Sequence, residues 1–130
     1  MTLARKIAAL TAGAVLVAAA AGGAQAHHSG AMYDRTLTKT VSGTVKEFNW
    51  TNPHSSFSVE TSTPGEPAQL WYFEMNGPQN LVHEGWKRTT LTPGDKVTVI
   101  YNPLRDGRPG GWYVSITLAD GHVLGGAPQQ

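Results

Sequence analysis

Residues 48–54 read Phe-Asn-Trp-Thr-Asn-Pro-His, and this stretch decides the fold because it joins two patterned strands at a sharp corner. Proline fixes φ and keeps the residue before it out of the helical region, so Asn52-Pro53 indicates a turn. Trp50 is large enough to anchor a small core. His54 follows the turn, where the next strand begins, and this position makes the corner a candidate binding site.

The strand before the corner, residues 37–50, changes its pattern along its length. Val41, Gly43 and Val45 share one parity, whereas Phe48 and Trp50 share the other. A change of parity near residues 46–47 predicts a β-bulge that bends the strand. Long first strands with such a bend are typical of small closed barrels.

Further strands are predicted at residues 55–61, 69–75, 96–101 and 112–118, with a short return at 123–124. In the last two long strands, the residues expected to share a face are Val97, Val99 and Tyr101 in one and Val114, Ile116 and Leu118 in the other.

A short helix is predicted between the third and fourth strands, at residues 79–86. Gly85 is its expected C-terminal cap, and Leu81, Val82 and Trp86 are its expected inward residues. The order β-β-β-α-β-β is that of the OB-fold, a five-stranded barrel. The fold class is therefore all-β with one short helix, and an unrelated small sandwich is the alternative.

The N-terminal residues have the order of a secretory signal peptide. Arg5 and Lys6 precede a mainly apolar run at 7–21, and small residues at 22–26 end in an Ala-x-Ala cleavage site. The run is shorter than the ~20 residues of a spanning helix, although an uncleaved membrane anchor is the alternative. We expect a signal peptide at 1–26, an arm at 27–36, the barrel at 37–124 and a flexible tail at 125–130. The expected location is the periplasm.

Charge and cysteine content exclude several classes of function. Cleavage removes two of the ten basic residues and leaves eight against nine acidic ones, which disfavours nucleic-acid binding. No amphipathic basic helix follows residue 26, so the cleaved protein is not expected at a membrane. The chain has no cysteine, so packing alone must stabilise it.

Several short motifs resemble those of a known family. They are His27-His28-Ser29, Tyr33-Asp34, Gly43-Thr44-Val45, Trp50-Thr51-Asn52-Pro53-His54, Gly85-Trp86, Thr92-Pro93-Gly94-Asp95, Asp106-Gly107 and Asp120-Gly121. The chain is similar over nearly all of its mature length to a family of small exported bacterial proteins known only as a domain of unknown function. The resemblance implies an exported β-rich domain and no particular activity.

Three histidines form the candidate metal site. Cleavage makes His27 the first residue, and its α-amino group, with a pKa of about 7.7–8, and its imidazole can together chelate a metal. His54 would add a third nitrogen, as in a histidine brace, and His28 would add to or replace it. Nitrogen ligands in a planar arrangement favour Cu(II). Alternatively, the first two histidines belong to a flexible polar arm and His54 donates to a backbone carbonyl.

The second candidate site is an aromatic surface formed by Phe57, Trp71, Tyr72 and Trp112. Such a surface would recognise a small ligand or another exported protein, although the same residues are also suited to a core. We expect no enzyme, because the sequence has no cysteine nucleophile and no recognisable catalytic motif. The expected function is a non-enzymatic binding protein, with copper as the only expected cofactor.

Overall fold

The computed structural model describes residues 30–126. A 3-10 helix at Gly30–Met32 precedes β1 (Lys39–Asn49), β2 (Ser56–Thr61) and β3 (Gln69–Glu74). The helix α1 (Pro78–His83) follows, and then β4 (Lys96–Pro103), β5 (Gly110–Thr117) and β6 (Val123–Gly125). The predicted signal peptide, His27, His28 and most of the predicted tail lie outside the described residues.

One sheet contains all six strands in the order β3-β2-β1-β4-β5-β6, and it closes into a barrel. Closure comes from a parallel pairing of β3 with β5, in which Tyr72, Phe73 and Glu74 lie opposite residues 110–112. The other named pairings are antiparallel. The predicted barrel of OB-like element order, with one short helix, is confirmed, and β6 is the short return at its end.

The bend in β1 lies where the change of parity predicted it. Val45 pairs with Val59 and Glu47 with Ser58, so Lys46 is the extra residue of a bulge. Before the bulge, Gly43 lies so close to β2 that a Cβ atom would be 2.4 Å from the carbonyl oxygen of Glu60. A glycine at this position therefore lets β1 pass from β4 to β2.

Aromatic side chains make up much of the core. Phe57 is central, with ring centroids 5.1 Å from Phe73, 6.4 Å from Trp86 and 6.1 Å from Tyr113. The indole N–H of Trp86 donates to the hydroxyl oxygen of Tyr113 over 3.1 Å, so both polar groups are satisfied in the interior. Val97, Val99 and Tyr101 all face this core, as predicted.

The helix α1 is shorter than predicted and ends in a Schellman motif. Gly85 has a φ of +89°, its N–H donates to the Val82 carbonyl, and the Trp86 N–H donates to the Leu81 carbonyl. Leu81 and Trp86 are buried as expected, but Val82 is 58% exposed, so its predicted inward orientation is wrong. In a helix, neighbouring residues point about 100° apart, and Leu81 takes the inward direction.

The fifth strand also departs from its predicted pattern. Tyr101 pairs with Tyr113 and Ile100 with Ser115, so Val114 is an extra residue and the parity of β5 changes there. Tyr113 and Ile116 consequently face the core, whereas Val114 does not share the face of Ile116. Among residues 30–126, no helix is long and apolar enough to cross a membrane.

Candidate binding site around His54

Hydrogen bonds hold the loop between β1 and β2 against the end of β3. The Thr51 hydroxyl donates to the His54 carbonyl over 3.0 Å, and the Thr51 N–H donates to the Ser55 hydroxyl oxygen over 3.3 Å. Ser55 also exchanges backbone bonds with Asn76 and Met75. The Asn52-Pro53 peptide is cis. These contacts place the His54 side chain at a defined position on the barrel.

Gly77 lets this loop lie against the start of α1. A Cβ atom at this position would be 2.6 Å from the carbonyl oxygen of Pro53 and 3.1 Å from the Asn52 side-chain oxygen. The backbones therefore meet at a distance that only glycine permits. The backbone at Gly77 therefore packs directly against the Asn52-Pro53 corner.

Glu74 is the partner of His54. Its Oε1 lies 2.5 Å from the His54 Nδ1, and the residue is 7% exposed although it is acidic. The His54 side chain is 39% exposed. An ionised carboxylate only accepts hydrogen bonds, so the Nδ1–H of His54 donates the hydrogen bond to Glu74 Oε1. In a neutral imidazole this leaves the lone pair on Nε2, which has no hydrogen-bond partner among residues 30–126.

Tyr33 occupies the second oxygen of the same carboxylate. Its hydroxyl donates to Glu74 Oε2, and its ring is buried. Burial, together with the adjacent Glu74 carboxylate, raises the pKa of the Tyr33 hydroxyl far above its ordinary value. Tyr33 therefore remains a neutral donor, and Glu74 has a partner for each oxygen.

Trp112 forms the aromatic wall of the site. Its ring centroid lies 5.5 Å from that of His54, edge to face, and 5.7 Å from that of Tyr33. The Arg35 guanidinium carbon lies 5.0 Å from the Trp112 centroid, within the range of a cation–π contact. Trp112 pairs with Glu74 across the β3–β5 junction, so the closure of the barrel brings them together.

The segment that carries Tyr33 is anchored on β4 and on the loop after it. Tyr33 forms an isolated bridge with Leu104, and the Asp34 N–H donates to the Pro103 carbonyl over 2.8 Å. The Arg105 N–H donates to the Met32 carbonyl over 2.9 Å. These bonds hold the segment before β1 against the barrel, at the place where Tyr33 contacts Glu74.

An open cleft of about 260 Å³ adjoins the imidazole. Tyr72 lies on the outer face of β3 at the edge of this cleft, and 55% of the residue is exposed. The residues lining the cleft are Pro53, His54, Ser55, Ser56, Tyr72 and Glu74. This is the outer face of β2 and β3, on which barrels of this order commonly bind their ligands.

Of the three predicted metal ligands, the structure places only His54. His27 and His28 lie outside the described residues. Within residues 30–126, no group of three or more histidine, cysteine, aspartate or glutamate side chains is arranged to hold a metal ion. This part of the chain therefore offers one histidine ligand with its carboxylate, and a nitrogen site would need ligands from residues 27–28.

The four aromatic residues of the second candidate site do not share a surface. Phe57 is fully buried, so its predicted place on a surface is wrong. It lies on the core side of β2, against Phe73. Trp71 packs against Tyr101 with centroids 5.8 Å apart, on the opposite face of β3 from Tyr72. Tyr72 and Trp112 remain as aromatic residues on the outer face.

Glu74 and Tyr33 are the site residues that sequence reasoning missed. The signal for Glu74 was present, since it is the one charged residue between the apolar Trp71-Tyr72-Phe73 and Met75. A carboxylate inside such a strand is seldom buried without partners. The sequence indicated Tyr33 only as part of the Tyr33-Asp34 motif and not as a partner of Glu74, because that contact joins residues 41 positions apart.

The chain matches a known family in sequence and a solved structure in fold. The model of DUF6152, described as a family of unknown function, matches residues 14–113. The crystal structure of the mitochondrial single-stranded DNA-binding protein Rim1 from S. cerevisiae is similar with a TM-score of 0.50 and 11% identity. The match covers 69% of this chain and 96% of that chain, and at this identity it shows the OB-like fold alone. No curated protein matches the chain.

Proposed function

The chain belongs to DUF6152, a family of unknown function, and on that premise we propose that it is an exported, non-enzymatic protein that binds copper. The ligands are the Nε2 atom of His54 and, after cleavage behind residue 26, the α-amine and imidazole of His27. His28 is the alternative ligand from the same segment. The protein acts in the periplasm.

The hydrogen bond from His54 to Glu74 carries this proposal. Histidines that bind metals usually donate their second ring N–H to a carboxylate or carbonyl, which fixes the tautomer and makes the ligand more basic. Glu74 is such a carboxylate, and Tyr33 holds it from the other side. The half-exposed ring then carries its lone pair on Nε2.

The anchored Tyr33 supports the choice of the N-terminal histidines. Tyr33 contacts the carboxylate that also contacts His54, and it lies five positions after His28 in the sequence. This short separation in sequence supports positions 27 and 28 as the source of the further ligands.

A copper titration by calorimetry tests the proposal. The protein that begins at His27 should bind one Cu(II), and both His54→Ala and one extra N-terminal residue should weaken binding at least tenfold, about 1.4 kcal/mol. Glu74→Gln should weaken it as well, since the ring loses its ionised acceptor.

His122→Ala is the matched control, because His122 is exposed in the turn before β6. This variant should bind Cu(II) as the parent protein does. Affinity that is indifferent to His54, or that His122→Ala lowers equally, would mean that copper binds adventitiously.

A second candidate function rests on the cleft beside His54. Tyr72 is exposed at its edge, and the half-buried Trp112 lies next to His54, so a planar or sugar ring could stack there. The ligand would then be a small molecule or a side chain of an exported partner, with no metal. In titrations with short oligosaccharides and peptides, Tyr72→Ala should abolish binding while leaving the copper affinity unchanged.

A further inference from the structure

β1 has different partners along its length, and this leaves part of one edge open. Residues 39–44 pair with β4, whereas pairing with β2 begins at Thr44 and continues to Asn49. Between Lys39 and Gly43, the edge of β1 that faces away from β4 therefore has no strand beside it in the described chain.

The hydrogen-bond pattern between β1 and the β4 side identifies the backbone groups that point to this open edge. The Val45 N–H donates to the Asp95 carbonyl, and the Val45 carbonyl accepts from the Gly94 N–H, each over 2.8 Å. Val45 therefore makes its backbone bonds on the side of β4. Because these directions alternate along an antiparallel strand, Thr40 and Ser42 direct their N–H and C=O groups to the opposite side.

The side chain of Ser42 supports this assignment. Its Oγ lies 2.8 Å from the Oγ1 of Thr98, its partner on β4. Such close side chains are typical of antiparallel pairs that exchange no backbone hydrogen bonds with each other. Among residues 30–126, Thr40 and Ser42 do not pair with β2, and no backbone hydrogen bond joins either of them to a turn or loop.

The open edge forms one wall of a cleft of about 700 Å³. The opposite wall is the connection between β2 and β3, and the half-buried Trp71 lies at one side, with its indole N–H donating to the Thr61 hydroxyl. The lining residues are Thr40, Val41, Ser42, Thr61, Ser62, Thr63, Glu66, Pro67, Ala68, Gln69 and Trp71.

We infer that this cleft binds an extended peptide, which adds to the edge of β1 at Thr40 and Ser42. Unpaired N–H and C=O groups at every second residue match the backbone of a strand, and strand addition is a common mode of peptide recognition. The site is separate from His54 and does not depend on copper.

The walls and charge of the cleft specify the peptide. Because the β2–β3 connection also lines the cleft, we expect a single extended segment there rather than the edge of a second barrel. Glu66 is the one charged residue that lines the cleft, so it favours a lysine or arginine in the peptide. Trp71 offers an apolar surface for a neighbouring side chain.

The test uses blocked six-residue peptides of alternating valine and threonine, with one lysine placed at each position in turn. Titration into the 15N-labelled protein should give saturable shifts of the Thr40 and Ser42 amide signals for at least one of them, with slower hydrogen exchange at both. N-methylation of the peptide amides that face β1 should abolish these effects, since it removes the donors.

Two protein variants complete the test. Ser42→Pro removes the N–H that points into the cleft and no ladder bond, so it should remain folded by circular dichroism yet weaken binding at least tenfold. Glu66→Lys should reverse the preference from lysine to glutamate peptides. The inference is overturned if no peptide shifts the Thr40 and Ser42 signals, if the shifts map to the His54 cleft, or if they follow protein concentration without peptide, which would indicate self-association.

Discussion

Glu74 is a buried carboxylate that links two parts of the chain. It accepts hydrogen bonds from Tyr33, which precedes the barrel, and from His54, which follows the cis Asn52-Pro53 peptide. A buried acidic group is tolerated when its oxygens are paired. Glu74 therefore orients the His54 ring and also fixes the segment before β1.

Glu74→Ala should lower the free energy of unfolding by about 1–3 kcal/mol, because it leaves the buried Tyr33 hydroxyl without its acceptor. Urea unfolding at pH 7 measures the change. Glu60→Ala is the control, since Glu60 forms a half-exposed ion pair with Lys46 and its loss should cost at most about 1 kcal/mol. Equal losses in the two variants would contradict the assigned role of Glu74.

Among the elements, β1 organises the barrel because it pairs first with β4 and then with β2. The transition needs Gly43, whose position leaves no room for a Cβ atom against Val59 and Glu60. The bulge at Lys46 then turns the second half of the strand, so that Phe48 and Trp50 cover the core with their rings 5.9 Å apart. One strand thereby contributes to both halves of the sheet.

Gly43→Ala should destabilise the protein by about 1–3 kcal/mol, because the added methyl group would lie 2.4 Å from a backbone oxygen of β2. Thermal unfolding followed by circular dichroism measures the loss. Gly126→Ala is the matched control, since nothing lies within 4 Å of a Cβ there. A Gly43→Ala variant as stable as the Gly126→Ala variant would show that β1 and β2 do not approach so closely.

At the scale of the whole molecule, buried tyrosines connect stability with pH. Burial raises the pKa of the Tyr33, Tyr101 and Tyr113 hydroxyls above the ordinary value of about 10. The folded state therefore holds these protons more tightly than the unfolded state does. The contribution of each tyrosine is fully present below about pH 10 and is lost as the pH rises toward the pKa of the folded state.

The free energy of unfolding should accordingly fall above about pH 10, by up to about 1.4 kcal/mol per pH unit for each of these tyrosines. Urea unfolding between pH 8 and 11.5 measures the slope. Tyr33→Phe should make it less steep, because one buried phenol no longer titrates. A slope that this substitution leaves unchanged would show that Tyr33 ionises alike in both states.

Local patterns predicted much of the barrel, because the determinants of its strands and turns are close in sequence. The change of parity in β1 and the glycine after α1 indicated the bulge and the helix end correctly. The face of Val82 was predicted wrongly because its neighbour Leu81 takes the inward direction, and that of Val114 because periodicity did not show the bulge in β5.

The contacts around the candidate site were harder to predict from the sequence. His54 was identified from the turn before it, but its partner Glu74 lies 20 residues further along and meets it only when β2 and β3 pair. Phe57 was assigned to a surface because barrels of this order bind ligands on strands two and three, although the apolar face of an alternating strand covers the core.

Electron paramagnetic resonance of the copper-loaded protein tests the central claim, that His54 and the N-terminal residues form one nitrogen site, most directly. The protein that begins at His27, with one equivalent of Cu(II), should show nitrogen hyperfine structure from three ligands, and His54→Ala should remove the coupling of one nitrogen. A spectrum that is identical in the two proteins, or that shows oxygen ligands only, would contradict the claim.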